Sequence, residues 1–200
     1  MIALARTDNI IPMPTKSNEW YTPARYIEAA RAVMGGIDLD PASCSDANEI
    51  VKAVRYYSID DDGLAQAWYG RVWLNPPYGK TNNKSTIERW IKRLINEYQA
   101  GNVTTAILLT TCDSDNQWFQ LLWDYPICFT NHNVHFFKPD RHGKITKDSR
   151  STQMFGTVFT YLGPHEQTFI DIFSRFGRIA RAIDIPRQQV TPLSLWEAMP

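Results

Sequence analysis

The 200-residue chain has only three cysteines, Cys44, Cys112 and Cys128, an odd number at wide and irregular spacing. That excludes a disulfide framework and reads as reduced thiols. No apolar run reaches the roughly 18 residues needed to cross a bilayer. Residues 1–13 mix Arg6 and Asp8 into a short apolar stretch and lack a cleavable signal pattern. A cytoplasmic protein with no membrane partner is expected. Net charge is also missing: 21 Lys and Arg balance 21 Asp and Glu. Binding of nucleic acid by bulk positive charge is therefore disfavoured, although a local basic face is not. Residues 79–85 contain glycine, lysine and serine but not at P-loop spacing, which argues against nucleotide hydrolysis. No nucleophile elbow places a serine for acyl transfer.

What the chain does have is core-forming material. Hydrophobic residues make up 44% of it, with 7 Trp, 9 Tyr and 9 Phe, and this suits one globular domain. Charge is unevenly spread. The positive excess falls in residues 71–150 and is densest over 138–150, where Lys138, Arg141, Lys144, Lys147, Arg150 and His142 face only Asp140 and Asp148. Cys128, His132 and His135 are an incomplete ligand set, so no metal is expected.

Helix and strand patterns alternate through the first two thirds. Thr22 as N-cap and Pro23 at the first helical position start a helix that Gly35-Gly36 stops. Short strands are expected at 37–40, 55–59 and 71–74. Ser85 and Glu88 read as a capping box for an amphipathic helix carrying Ile87, Trp90, Ile91, Leu94, Ile95 and Tyr98. A buried strand at 103–110 follows, then a helix around Trp118–Leu122. Strands are expected at 127–129, 134–137, 155–161 and 178–183, with a helix at 166–176. The alternation predicts an α/β fold: a mostly parallel sheet, helices on both faces and antiparallel strands at one edge. Residues 1–18 read as a flexible arm, 19–185 as the domain and 186–200 as a tail.

Asn75-Pro76-Pro77-Tyr78 follows directly on the strand at 71–74. The carboxyl end of a strand in such a sheet is where ligands bind. Pro76 keeps Asn75 extended and Pro77 fixes the next angle. The stiff corner can present the Asn75 side-chain oxygen, the Pro76 carbonyl and the Tyr78 ring to a cleft. A nucleobase amine is a poor nucleophile because its lone pair is delocalised into the ring. Two acceptors on its N–H groups favour a tetrahedral nitrogen and free that pair, and acceptors fixed in advance need little reorganisation.

Asn-Pro-Pro-Tyr is the signature of methyltransferases that act on amino or amide nitrogens. Here it is preceded by Glu19-Trp20-Tyr21-Thr22-Pro23, by Asp38-Leu39-Asp40-Pro41-Ala42-Ser43, and by Asp61-Asp62-Gly63-Leu64 with Trp68. In this order the motifs resemble the phage-type Dam family of DNA N6-adenine methyltransferases across residues 18–185. Singly, Trp20 and Tyr21 read as core aromatics and Asp40 as a turn acid; their joint order carries the resemblance. It implies a Rossmann-like fold with a seven-stranded sheet and S-adenosylmethionine as cofactor. By the same likeness Trp20, Tyr21 and Thr22 lie along the cofactor's methionine part, and Asp40 binds its ammonium. Pro41 and Ala42 shape the turn beneath, and one acid among Asp60–Asp62, with Asp62 as the candidate, binds the ribose. Asn75, Pro76, Pro77 and Tyr78 are the catalytic motif, with Asn75 also beside the cofactor. The chain departs from many methyltransferases in one respect: Pro41-Ala42-Ser43-Cys44-Ser45 replaces a glycine-rich turn.

With DNA as partner, the target base must be flipped out and phosphates must be contacted. Lys80, Lys84, Arg141, Lys144, Lys147 and Arg150 are the expected DNA-binding residues, and 79–85 a mobile cover over the site. The same motif also serves rRNA adenine, cytosine N4 and glutamine amides, and a non-catalytic binding module is a further alternative. The aromatic segment before the first strand argues against the rRNA and protein types, and the intact Asn-Pro-Pro-Tyr against the module.

Overall fold

The computed structural model describes residues 21–78, 80–81, 84–137, 150–152 and 156–183; side chains are described throughout these except at 80–81, 84–85 and 150–152. The expected arm and tail, Trp20, Arg141, Lys144 and Lys147 lie outside the described residues.

In chain order the elements are α1 (Ala24–Met34), β1 (Leu39–Asp40), α2 (Ser45–Val51), β2 (Arg55–Tyr56), a 3-10 turn (Ile59–Asp61), β3 (Gly70–Leu74), β4 (Lys80–Thr81) and β5 (Lys84–Ser85). They continue with α3 (Ile87–Gln99), β6 (Val103–Thr111), α4 (Gln117–Gln120), β7 (Ile127–Thr130), β8 (His135–Phe137), β9 (Arg150–Thr152), β10 (Thr157–Leu162), α5 (Glu166–Phe173) and β11 (Gly177–Ala180).

Seven strands form one sheet in the order β11-β7-β10-β6-β3-β1-β2. β2, β1, β3 and β6 run parallel. β10 is antiparallel to both β6 and β7, and β11 is antiparallel to β7. This is the expected α/β sheet, parallel on one side with antiparallel strands at the other edge. Parallel neighbours require crossovers: α2 links β1 to β2 and α3 links β3 to β6, while the loop with the 3-10 turn carries the chain from β2 to β3 on the other side of β1.

The strands alternate sides, and each side is covered. Trp73, Ile107, Leu109, Phe159 and Tyr161 pack on one face with Tyr26, Ile27 and Ala30 of α1 and Phe169 and Phe173 of α5. Val72, Leu74, Ala106, Leu108, Val158 and Leu162 pack on the other with Ile87, Trp90, Ile91 and Leu94 of α3 and Phe119 of α4. The period-2 pattern of the strands meets the 3.6-residue stripe of each helix. Each of the buried Val, Leu, Ile and Phe side chains contributes about 1.5–3 kcal/mol relative to exposure.

Three local expectations are corrected. Thr22 does not cap α1: the cap position is Pro23, with no side-chain cap bond, because the Thr22 hydroxyl faces Asn75 instead. Ser85 is not the N-cap of α3. Ser85 is drawn into an antiparallel pairing with Lys80, α3 is entered through Thr86, and Glu88 pairs with Lys92 at 2.6 Å. The strand expected at 134–137 does not join the main sheet. β8 pairs with β9 in a separate two-stranded ribbon, and Phe137 also exchanges backbone hydrogen bonds with Tyr21 at 2.8 and 2.9 Å.

Candidate active site at the carboxyl edge of the sheet

From β1 the chain goes to β2 on one side, while β3 lies on its other side and leads on to β6. The strand order therefore reverses between β1 and β3. In an open α/β sheet the crevice outside the carboxyl ends at such a reversal is the ligand site. β1 ends at Asp40 and β3 runs into Asn75. With Leu39 opposite Val72, strand geometry puts the Cα atoms of Asp40 and Asn75 roughly 8 Å apart.

Asp40 is buried, 3% exposed. It accepts a long 3.3 Å hydrogen bond from the Ala42 N–H, and no ion pair among the described residues involves it. Loss of hydration pushes its carboxyl up to about 7, against smaller opposing effects from Ser43 and the Ala42 N–H. The Ser43 hydroxyl nevertheless makes no well-formed hydrogen bond among the described residues. A carboxylate held like this is poised for a cation.

The Asn75 side chain is fixed by Thr22: Nδ2 donates to Thr22 Oγ1 at 3.4 Å, and Thr22 is itself buried. Pro76 is buried and Pro77 exposed. The Pro77 carbonyl accepts from the Thr86 hydroxyl at 3.3 Å, which ties the corner to the start of α3. Tyr78 as a whole residue is 36% exposed, but its hydroxyl is sunk against β6 and accepts from the Thr111 N–H at 2.8 Å. Burial raises the Tyr78 phenol above its ordinary range, so it stays neutral. The ring is thus anchored at its tip with part of its surface open.

Tyr21 and the Asp40–Ser45 turn meet through a 3.3 Å contact between the Tyr21 hydroxyl and Cys44 Sγ. The loop after β2 closes the other side of that turn. A Cβ built on Gly63 would lie 1.9 Å from the Pro41 carbonyl oxygen, so only glycine lets this loop pack there. The loop is pinned by Trp68 Nε1 donating to the Gly63 carbonyl at 2.7 Å and by the Tyr57 hydroxyl donating to the Ala67 carbonyl at 2.9 Å. Asp61 is occupied in closing the 3-10 turn: its Oδ2 accepts from the Ser58 N–H at 2.8 Å and the Ser58 hydroxyl at 2.7 Å. Asp60 and Asp62 are exposed, and Asp62 adjoins the Gly63 contact.

Tyr21, Thr22, Asp40, Pro41, Asp62 and Asn75–Tyr78, scattered over nearly sixty positions, are thus brought to one edge. Lys80 and Lys84 follow at once, in the β4–β5 hairpin. Arg150 lies on β9 opposite Phe137, whose backbone in turn bonds Tyr21, so the β8–β9 ribbon borders this edge. Cys128 is buried and donates to the Phe173 carbonyl at 3.4 Å, and no group of three or more metal-ligating side chains occurs among the described residues. No helix among them is long and apolar enough to cross a membrane. Sequence reasoning quoted Gly63 in a motif without giving it a role, and it missed the Thr111–Asp113 segment. Thr111 holds Tyr78 through its N–H and donates its hydroxyl to Asp113 at 2.9 Å. The switch from apolar to polar residues at the end of β6 is the signal that marks this segment, as it marks Asn75.

No curated protein matches the chain. The family model for DNA N-6-adenine-methyltransferase (Dam) matches residues 12–173, a span that takes in every motif at this edge. The chain belongs to the Dam family of DNA N6-adenine methyltransferases.

Proposed function

We propose that the chain transfers a methyl group from S-adenosylmethionine to the N6 amine of an adenine flipped out of duplex DNA. The observation that carries this reading is the juxtaposition, across the β1–β3 reversal, of a buried carboxyl group with no ion pair among the described residues and an asparagine amide held by Thr22. The residues present fit the cofactor. Asp40, without a cationic partner among the described residues, suits its ammonium. Tyr21 and Thr22, with Trp20 before them, would lie along its methionine part, and Pro41 would form the floor. Of the three acids after β2, Asp61 is already engaged, and Asp62 is the best placed for the ribose hydroxyls. When bound, the cofactor supplies a methyl group activated by a sulfonium centre.

The chain's own residues prepare the acceptor. The Asn75 side-chain oxygen and the Pro76 carbonyl take the two N–H groups of the amine, and Tyr78 stacks on the base. This geometry draws the nitrogen toward a tetrahedral form and frees its lone pair for direct attack on the methyl. No strong base is needed beforehand, because the amine proton becomes acidic once the nitrogen is alkylated and then leaves to water. Lys80, Lys84, Arg141, Lys144, Lys147 and Arg150 supply phosphate contacts, and the β4–β5 hairpin covers the site.

Incubation with DNA, RNA and protein and labelled cofactor, followed by nucleoside analysis, tests the proposal. Methyladenine in DNA is expected, and its absence from every DNA offered overturns it. Asn75→Ala is expected to lower turnover by about 10²–10³-fold while leaving cofactor affinity, measured by calorimetry, close to that of the parent.

A further inference from the structure

The carboxyl edge continues beyond Asn75 to the end of β7, where four side chains form one hydrogen-bonded chain. Arg25 donates to the Tyr26 hydroxyl at 2.6 Å. That hydroxyl meets His132 Nε2 at 2.7 Å, and His132 Nδ1 meets Asn131 Oδ1 at 2.9 Å. One assignment satisfies every member: Tyr26 donates to Nε2, and a neutral His132 donates from Nδ1 to Asn131. Tyr26 is fully buried, whereas Arg25 is exposed. The guanidinium carbon of Arg25 also sits 4.7 Å from the Tyr26 ring centre, so the side chain is held from two directions.

The surroundings are cationic. Arg175 lies 5.2 Å from the Phe176 ring centre, and that ring is 4.9 Å from Tyr26. His135 is exposed on β8 nearby. No ion pair among the described residues involves Arg25 or Arg175. Fixing an exposed arginine with no carboxylate partner among the described residues costs rotamer entropy. Its remaining donors form a ready fork for a doubly coordinated oxyanion. Arg25 stands three residues from Thr22, which holds the catalytic asparagine.

We propose that Arg25, propped by Tyr26 and His132, grips a backbone phosphate of the DNA substrate next to the flipped nucleotide, with Arg175 extending the contact. This rests on the reading of DNA as substrate. The cluster carries no base-reading geometry, so the contact positions the duplex and adds no sequence preference.

Fluorescence anisotropy with a labelled duplex, from about 50 to 200 mM salt, tests it. Arg25→Ala is expected to weaken binding about tenfold at the low-salt end and to make the salt slope shallower by about one. Arg25→Lys should recover the slope but only part of the affinity. His132→Leu removes the prop and keeps the charge, so it should weaken binding about threefold with the slope unchanged. Cofactor affinity should stay near the parent value in all three and the melting temperature in the two Arg25 variants, whereas His132→Leu should melt somewhat lower because the buried Tyr26 hydroxyl loses its acceptor. A parental slope in Arg25→Ala, in an enzyme that binds and methylates DNA, overturns the phosphate contact alone. A parent chain with no salt-dependent duplex binding overturns it together with the substrate reading.

Discussion

Asp38 and Asp40 are separated by one residue and have opposite fates. Asp38 lies just ahead of β1, away from the site, and is saturated with partners. It accepts from the Arg71 guanidinium at 2.6 and 2.9 Å and from the Arg71 N–H at 2.8 Å. Those bonds hold its carboxyl below the ordinary range. Asp40 ends the same strand at the carboxyl edge, buried and without an ion pair among the described residues, with its carboxyl raised to about 7. The first aspartate stabilises the folded chain when ionised, and the second destabilises it. Acids raised by burial cluster at functional sites, and Asp40 stands at the topological reversal where the cofactor site is proposed.

The largest expected effect is at Asp40. Asp40→Asn should lower S-adenosylmethionine affinity by at least about 100-fold, because the ammonium loses its counter-charge. The same change should relieve the free protein. Because Asp40's folded value is raised above the 3.8 of an ordinary aspartate, its penalty is absent below about pH 4. It grows as pH rises and reaches on the order of 4 kcal/mol above pH 7. The melting temperature of Asp40→Asn relative to the parent should therefore climb between pH 4 and pH 8. Cofactor binding to the parent should release a proton near pH 6, readable by calorimetry in buffers of different ionisation enthalpy. A pH-independent difference in melting would break the contrast between the two aspartates.

Next in size is Gly63→Ala. The added methyl would meet backbone rather than a yielding side chain, 1.9 Å from the Pro41 oxygen. The expected cost is about 1–3 kcal/mol of stability, together with a loss of cofactor affinity of about tenfold, because the turn beneath Asp40 must shift. Unchanged affinity in a folded variant would separate this loop from the site.

Asp38→Ala should do the reverse of Asp40→Asn. It strips partners from Arg71 and costs about 1–2 kcal/mol, reduced by the partial exposure of the pair. That corresponds to a fall of about 2–8 °C in melting temperature, with cofactor affinity unaltered. The contribution of Asp38 is present above pH 3.8 and lost as pH falls through its lowered folded value. The destabilisation caused by Asp38→Ala should therefore fade in acid, while that removed by Asp40→Asn appears toward alkali.

These contrasts also show what the sequence could carry. The sheet with helices on both faces was legible because the strands alternate sides and α3 repeats its apolar stripe. The Asn75–Tyr78 corner was legible because two prolines leave the backbone few options. Capping was misread at both Thr22 and Ser85 for one reason: each was claimed by a partner distant in sequence or across a hairpin, Asn75 for the first and Lys80 for the second. Local propensity cannot foresee such competition. That Asp61 is engaged while Asp60 and Asp62 are exposed needed the Ser58 contacts, and the packing role of Gly63 needed the approach of Pro41, 22 positions earlier. The β8–β9 ribbon was half visible, because its second strand lies in the polar stretch that composition marks only as basic.

The smallest expected effect tests whether Tyr78 acts through its ring or its hydroxyl. Tyr78→Phe keeps the ring and removes the acceptor for the Thr111 N–H, at a cost of about 1 kcal/mol in stability. The ring loses its anchor but keeps its exposed surface, so the Michaelis constant for DNA should rise only about threefold, with cofactor affinity unchanged. Tyr78→Ala removes the surface itself, and stacking on a base is worth about 1–3 kcal/mol, so its Michaelis constant for DNA should rise well beyond that of Tyr78→Phe. The ratio between the two variants measures stacking free of the anchoring bond. If Tyr78→Phe proves as damaging as Tyr78→Ala, the hydroxyl's hold on β6 is the whole contribution of Tyr78, and the flipped base must find its platform on another side chain.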